Sequence, residues 1–351
     1  MTHRCLVTLL QCLHVIALTS AASDGSKWTY TGLEGQYDWP KKYPYCGGVS
    51  QSPIDIRNEL LQYDPTLRPV EVRGYNNYTE PLPLINNGHS VKMSLPSTMY
   101  ISSLPHRYSA AQLHLHWGSV DHLGGSEHTI KGKQYPAEMH VVHFNSDKYG
   151  NLSTAMDKAD GLAVLGVFID VGAFNPVFDH ILSHLGSVRY RDQVVQIPAF
   201  NVFNLLPERL DEFYRYDGSL TTPPCYPSVL WTVFRNPVRI SQEQLLSLQT
   251  VLYSTHVNEP VSLKMNQNYR HPQETNYRHV LVSFRDELTI LHRNFGVILA
   301  ITLAAVLGAV LIVALIFFVL RKKRSKKNNQ ENNKGVIYKP AASTEEDASK
   351  V

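Results

Sequence analysis

Several things are missing from this 351-residue chain, and each gap narrows the reading. No internal repeat or heptad run occurs, which excludes a solenoid or a coiled coil. Helical periodicity is scarce. The best run is Ser241 to Tyr253, with Ser241 placed to cap it and Glu243 in its first turn. Elsewhere short strand-like runs alternate with Pro- and Gly-rich turns, so a single predominantly β domain with minor helices is expected. His-Glu-x-x-His is absent, which removes the helical zinc-protease site. Cysteine is sparse, with four in all: Cys5, Cys12, Cys46 and Cys225. Charge is absent altogether from Phe295 to Leu320.

That uncharged segment and the N-terminus define the organisation. Residues 1–22 combine Arg4, an apolar run from Cys5 to Leu18 and the small residues Ser20, Ala21 and Ala22, the pattern of a cleaved signal peptide. Residues 295–320 would form a helix of roughly 39 Å at 1.5 Å per residue, enough to cross a bilayer core. Arg321, Lys322, Lys323, Arg324, Lys326 and Lys327 follow at once and mark the cytoplasmic side. The expected layout is a signal peptide (1–22), an extracellular domain (23–285), a stalk (286–294), a transmembrane helix (295–320) and a cytoplasmic tail (321–351). This is a single-pass type I protein of the plasma membrane. The tail carries nine Lys/Arg and four Asp/Glu, while the whole chain is only +3. The basic excess is thus a membrane stop signal with attraction for anionic lipid, not a nucleic-acid footprint. Cys5 and Cys12 leave with the signal peptide, and Cys46 and Cys225 are then expected to pair in an oxidising compartment. Asn77-Tyr78-Thr79 and Asn151-Leu152-Ser153 are acceptors for N-glycosylation.

Two short runs carry chemistry. Gln112-Leu113-His114-Leu115-His116-Trp117 alternates apolar and polar residues, so as a strand it puts His114 and His116 on one face. Glu138-Met139-His140-Val141-Val142-His143 is β-branched and apolar enough for a second strand. If the two are neighbours, His140 completes a three-nitrogen site, the ligand count of a catalytic rather than a structural zinc. His143, three residues from His140, faces away and reads as a packed histidine. A chance His-x-His is not rare in a chain with 16 histidines, so the surroundings decide.

Those surroundings are Ser126-Glu127-His128-Thr129-Ile130, then Tyr135, then Glu138-Met139-His140-Val141-Val142. Gln51-Ser52-Pro53-Ile54-Asp55-Ile56, Asn86-Asn87-Gly88-His89, Gly161 to Gly166 and Gly218-Ser219-Leu220-Thr221-Thr222-Pro223-Pro224 accompany them. Together, from about Trp28 to Phe284, they resemble the alpha-class carbonic anhydrases. The apolar segment and Val336-Ile337-Tyr338-Lys339-Pro340 resemble the membrane-spanning members.

The resemblance implies a large mixed central sheet with zinc at the bottom of a conical cleft. It implies reversible hydration of CO2 to bicarbonate and a proton by zinc-bound hydroxide. His114, His116 and His140 would hold Zn2+. Gln112, Glu138 and the backbone carbonyl of Asn268 would orient them. Thr221 would donate to Glu127 and accept from the hydroxide, and Thr222 would contact bicarbonate. Val142, Val164, Leu220 and Trp231 would wall the CO2 pocket. His89 would carry the proton out, with Tyr30, Asn87 and Lys92 along its path. The ligand set being complete argues against the alternative, an inactive carbonic-anhydrase-like ectodomain serving as a receptor or adhesion module. Esterase action would be a side activity.

Two partner readings come from the ends. Gly296, Ala300, Ala304 and Gly308 recur every four residues, a small-residue seam suited to a homodimer of membrane helices. Ser349-Lys350-Val351 suits strand addition to a PDZ domain, and Ser343 and Thr344 precede an acidic run.

Overall fold

A computed structural model describes residues 28–76, 78–285 and 287–333. Residues 1–22, Asn77 and the extreme tail, including its phosphorylation and PDZ motifs, therefore lie outside the described residues. The chain separates after Phe284 into two compact units.

The first unit bears out the predominantly β reading. Ten strands form the main path of one mixed sheet. They are β1 (Leu61–Tyr63), β2 (Leu82–Asn86), β3 (Val91–Ser94), β4 (Tyr108–Trp117) and β5 (Ala137–Asn145). The rest are β6 (Leu162–Val171), β7 (Val194–Ile197), β8 (Phe213–Gly218), β9 (Val229–Phe234) and β10 (Val280–Val282). Their spatial order is β7-β2-β3-β4-β5-β6-β9-β8-β10-β1. Neighbours are antiparallel except β6–β9 and β10–β1, which are parallel.

Both faces of the central strands are covered, so every residue of β5 is buried. On one face Val91, Met93, Leu113, Leu115, Met139, Val141 and Leu165 join the larger core. On the other, Val142, Phe144, Val164, Trp231 and Val233 form a second core. Burial on two faces turns β5 and β6 into near-continuous apolar runs. A polar side chain among them is therefore conspicuous and needs partners.

His143 shows how such a side chain is satisfied. Its Nδ1 donates to the Ala163 carbonyl at 3.2 Å, and its Nε2 accepts from the Tyr75 hydroxyl at 2.5 Å. Burial pushes its imidazole down to about 4. It packs within the fold, as expected.

Among the helices, Ser241 caps Gln242–Val251 through a reciprocal box with Gln244. Cys46 and Cys225 form the expected disulfide, closing a loop of sequence separation 179 beside Trp39 and Tyr30. Chain-entropy arithmetic gives an upper value of about 5 kcal/mol for a loop this long. Cys225→Ser should cost about 2–5 kcal/mol in chemical denaturation, whereas dithiothreitol should leave that variant's midpoint unmoved.

Among its described residues the second unit contains one helix, Glu287–Asn333. Its segment Gly296–Lys327 is long and apolar enough to cross a membrane. The helix extends beyond the segment read as transmembrane at both ends. It begins within the segment read as a stalk and continues through the basic run beyond 320, because neither stretch contains a proline or glycine that would break it. Gly296, Ala300 and Ala304 are exposed on it and Gly308 is half-exposed. A side chain at Gly296 or Gly308 would meet nothing within 4 Å.

Candidate metal centre

Strand register assembles the three histidines. β4 and β5 pair antiparallel with His114 directly opposite His140, while His116 faces Glu138 one step along. Opposed residues in such a pair project from the same face, so all three imidazoles crowd one spot. His116 and His140 are buried and His114 is nearly so. Their candidate ligand atoms all lie within 4.8 Å of one another.

Outer partners determine which nitrogens face inward. Gln112 Oε1 lies 2.9 Å from His114 Nδ1, and the Asn268 carbonyl lies 2.8 Å from His116 Nδ1. Glu138 Oε1 lies 2.7 Å from His140 Nε2. All three partners are acceptors, so each outer nitrogen carries its proton and donates. The inner lone pairs are then His114 Nε2, His116 Nε2 and His140 Nδ1. The last two are 3.1 Å apart. Four-coordinate zinc with Zn–N bonds of about 2.0–2.1 Å puts its nitrogens roughly 3.3 Å apart, close to this separation. Burial, then the charges of its neighbours, holds His114 well below the usual imidazole range; burial also lowers His116. Neutral imidazole is the form that binds a metal.

Glu138 is the hub of the outer layer. Its Oε1 also accepts from His128 Nδ1 at 2.7 Å, and its Oε2 accepts from the His128 backbone N–H at 2.8 Å. Burial raises its carboxyl, but the facing His128 and His140 outweigh that and hold it ionised far below the usual carboxylate range. The Tyr216 hydroxyl lies 2.6 Å from His128 Nε2 and 2.9 Å from Ser52 Oγ. His128, Glu138 and His140 could also be taken for a metal site. Their close contacts are satisfied hydrogen bonds, however, and leave no converging lone pairs.

Glu127 differs. Its Oε1 accepts from the Arg270 backbone N–H at 2.8 Å, but its buried Oε2 has no hydrogen-bond partner. Oε2 lies 3.5 Å from His116 Nε2 and 3.8 Å from His140 Nδ1. The hydrogen bond from Thr221 that the resemblance implied is not formed. Thr221 is buried in the 219–222 segment, where the Ser219 N–H donates to Ser52 Oγ and the Leu220 N–H to the Tyr226 carbonyl, both at 3.0 Å. A buried carboxylate oxygen without a donor is costly. Beside a lone-pair cluster, it is what a site shaped around a cation and its solvent would leave exposed.

The apolar wall lies on the same face. Val142, Val164 and Trp231 are consecutive cross-strand partners on β5, β6 and β9, and the Trp231 ring is 4.8 Å from that of His140. Leu220 and Thr222 are half-buried in the adjoining turn. Gly166, opposite His140, leaves room for the Glu138 carboxylate; a Cβ there would come within 3.3 Å of Oε1.

His89 sits in the turn between β2 and β3, where Asn87 Oδ1 accepts from the backbone N–H of His89 and Ser90 at 2.9 and 2.7 Å. Gly88, at φ +86°, takes the left-handed backbone conformation that favours glycine. The His89 ring lies flat on Trp28, with centroids 3.7 Å apart. Burial and the Arg191 charge push it down to about 4, not the 6.5 of a free imidazole. Tyr30 is buried between Trp28 and Trp39. Lys92 lies opposite His114 on β3.

The chain matches the eukaryotic-type carbonic anhydrase pattern over residues 34–284. It is 51% identical to human "Carbonic anhydrase 12" across 349 residues, 99% of this chain and 98% of that one. The chain belongs to the eukaryotic-type carbonic anhydrase family. Other relatives include human "Carbonic anhydrase 6", 38% identical over 83% of this chain and 94% of that protein. Dog "Carbonic anhydrase 6" is 40% identical over 76% and 83%. Carbonic anhydrases are zinc enzymes, and the histidine trio stands ready in this member's sheet.

Sequence reasoning left two residues of this site unassigned. His128 stood in a quoted motif without a role. Arg270 had no local signal at all, because it reaches Glu127 only through the fold. Its guanidinium also donates to Gln51 Oε1 and to the Ser52 and Cys46 carbonyls, tying the disulfide region to the site.

Proposed function

We propose that this chain catalyses the reversible hydration of CO2 to bicarbonate and a proton, holding zinc through His114 Nε2, His116 Nε2 and His140 Nδ1. The observation that carries this reading is the convergence of three inner lone pairs whose outer nitrogens are all tied down. When bound, zinc would supply a Lewis acid that brings the pKa of a water to about 7. Three neutral ligands leave the ion's charge undiminished. Val142, Val164, Leu220 and Trp231 offer CO2, an apolar molecule, an apolar surface. Glu127 Oε2 and the Thr221 hydroxyl are the groups available to orient the attacking oxygen. Thr222 is placed to contact the anionic product.

His89 is the proton carrier in this reading. Stacked on Trp28 it is neutral at pH 7 and a weak acceptor, so turnover should depend strongly on buffer. CO2 hydration by the wild type is expected to rise several-fold between weak and strong imidazole buffer. His89→Ala should be slower in weak buffer and level with the wild type in strong buffer. A His89 proton-NMR titration should give a midpoint near 4, climbing toward 6.5 in Trp28→Ala.

The proposed setting is the outer cell surface, with the catalytic unit outside and the basic flank inside. The apolar helix, the disulfide and the exposed sequon at Asn151 support it. Stopped-flow CO2 hydration on the purified chain tests the function directly; no acceleration from zinc-loaded protein would leave the inactive-ectodomain reading in its place.

A further inference from the structure

Lys92 makes no hydrogen bond or ion pair with any described residue, although it sits on the wall of the histidine site. Its position follows from register. Lys92 is opposite His114, His114 is opposite His140, and His140 is opposite Gly166, giving one row across four strands. Side chains directly opposed in antiparallel pairs share a face. The alternation on β3 agrees: Val91 and Met93 are fully buried in the core behind the sheet, while Lys92 is half-buried in front. Its charge is among those that act on the His114 imidazole.

The nearby acids do not neutralise it. Glu138 is engaged by two imidazoles and a backbone N–H. Glu127 Oε1 is held by the Arg270 backbone, and its Oε2 points at His116 and His140. Lys92 is half-buried on this face and no carboxylate engages its charge. An anion entering the site would supply the missing charge.

We propose that Lys92 is a specificity residue that strengthens binding of bicarbonate, and of small inorganic anions generally, at the histidine site. CO2 has no charge and gains nothing from it. Lysine suits the task because its point charge rides on a flexible stem and can follow an anion without fixed geometry. This assigns Lys92 to the anionic partner rather than to the proton path, and it rests on the function proposed above.

The test uses the full chain in detergent, zinc-loaded, with sodium thiocyanate as a non-reacting anionic probe followed by isothermal titration calorimetry. Inhibition of CO2 hydration by added bicarbonate provides the second measurement. Lys92→Gln should weaken thiocyanate binding and bicarbonate inhibition by about 3- to 10-fold, and Lys92→Glu by more. Lys92→Arg should stay within about 2-fold of the wild type, and the differences should shrink toward 1 M salt, where the Debye length is about 3 Å. Unchanged thiocyanate affinity in Lys92→Gln would overturn the proposal, as would an equal loss in Lys92→Arg, which would implicate packing rather than charge. A wild type that takes up zinc but binds no thiocyanate would overturn the proposal alone. One that takes up no zinc would overturn the proposed function, and this inference with it.

Discussion

His140→Ala is expected to lower CO2 hydration by at least about 1,000-fold and to strip zinc from the purified chain. Losing an outer partner of a metal ligand typically costs about 10- to 100-fold, and losing a ligand should exceed that. Two effects combine. The trio becomes a pair, and Glu138 Oε1 loses the donor that fixes the third ring. His140 is also buried against Trp231, so alanine leaves a cavity beside the apolar wall. Metal analysis separates these effects from mere misfolding. His114→Ala, at the more open edge of the trio, should fold with a smaller stability loss and still hold little zinc. Stoichiometric zinc in both variants would mean that the ion, if bound, is bound elsewhere.

The second large effect is on stability. Glu138→Ala should destabilise the domain by about 3–9 kcal/mol, because three buried donors lose their acceptor at once and each costs about 1–3 kcal/mol. These are the His128 N–H, His128 Nδ1 and His140 Nε2. Against a total domain stability of about 5–15 kcal/mol, that loss should reduce the yield of folded protein severely. Glu138→Gln can keep a carbonyl oxygen for both imidazoles but then turns its amide donor toward the His128 backbone N–H, itself a donor. It should fold, lose about 1–3 kcal/mol and hold zinc about 10- to 100-fold more weakly. Denaturant titration and zinc competition with a chelator read the two effects separately.

Much of this was legible before any coordinates. The His114/His116 alternation and the apolar run around His140 are period-two signals, and a sheet converts them directly into a shared face. The apolar run of β6, and the apolar residues between Glu138, His140 and His143 in β5, reflect burial on both sides. What sequence could not supply were contacts made by distant loops. Arg270 meets Glu127 across 143 residues, and nothing near either residue announces the other. Likewise, burial and the Arg191 charge lower the pKa of His89, yet the turn motif around His89 reads the same whether the ring is buried or free. The Thr221–Glu127 hydrogen bond was carried over from the resemblance. Its absence here reflects an Oε2 turned toward His116 and His140.

Counting zinc per chain is the most direct test of the central claim. Metal analysis of the purified full-length protein, alongside His114→Ala, His116→Ala and His140→Ala, should give one zinc for the wild type and close to none for each variant. A wild type that stays metal-free in excess zinc, while folded and disulfide-bonded, would contradict the account.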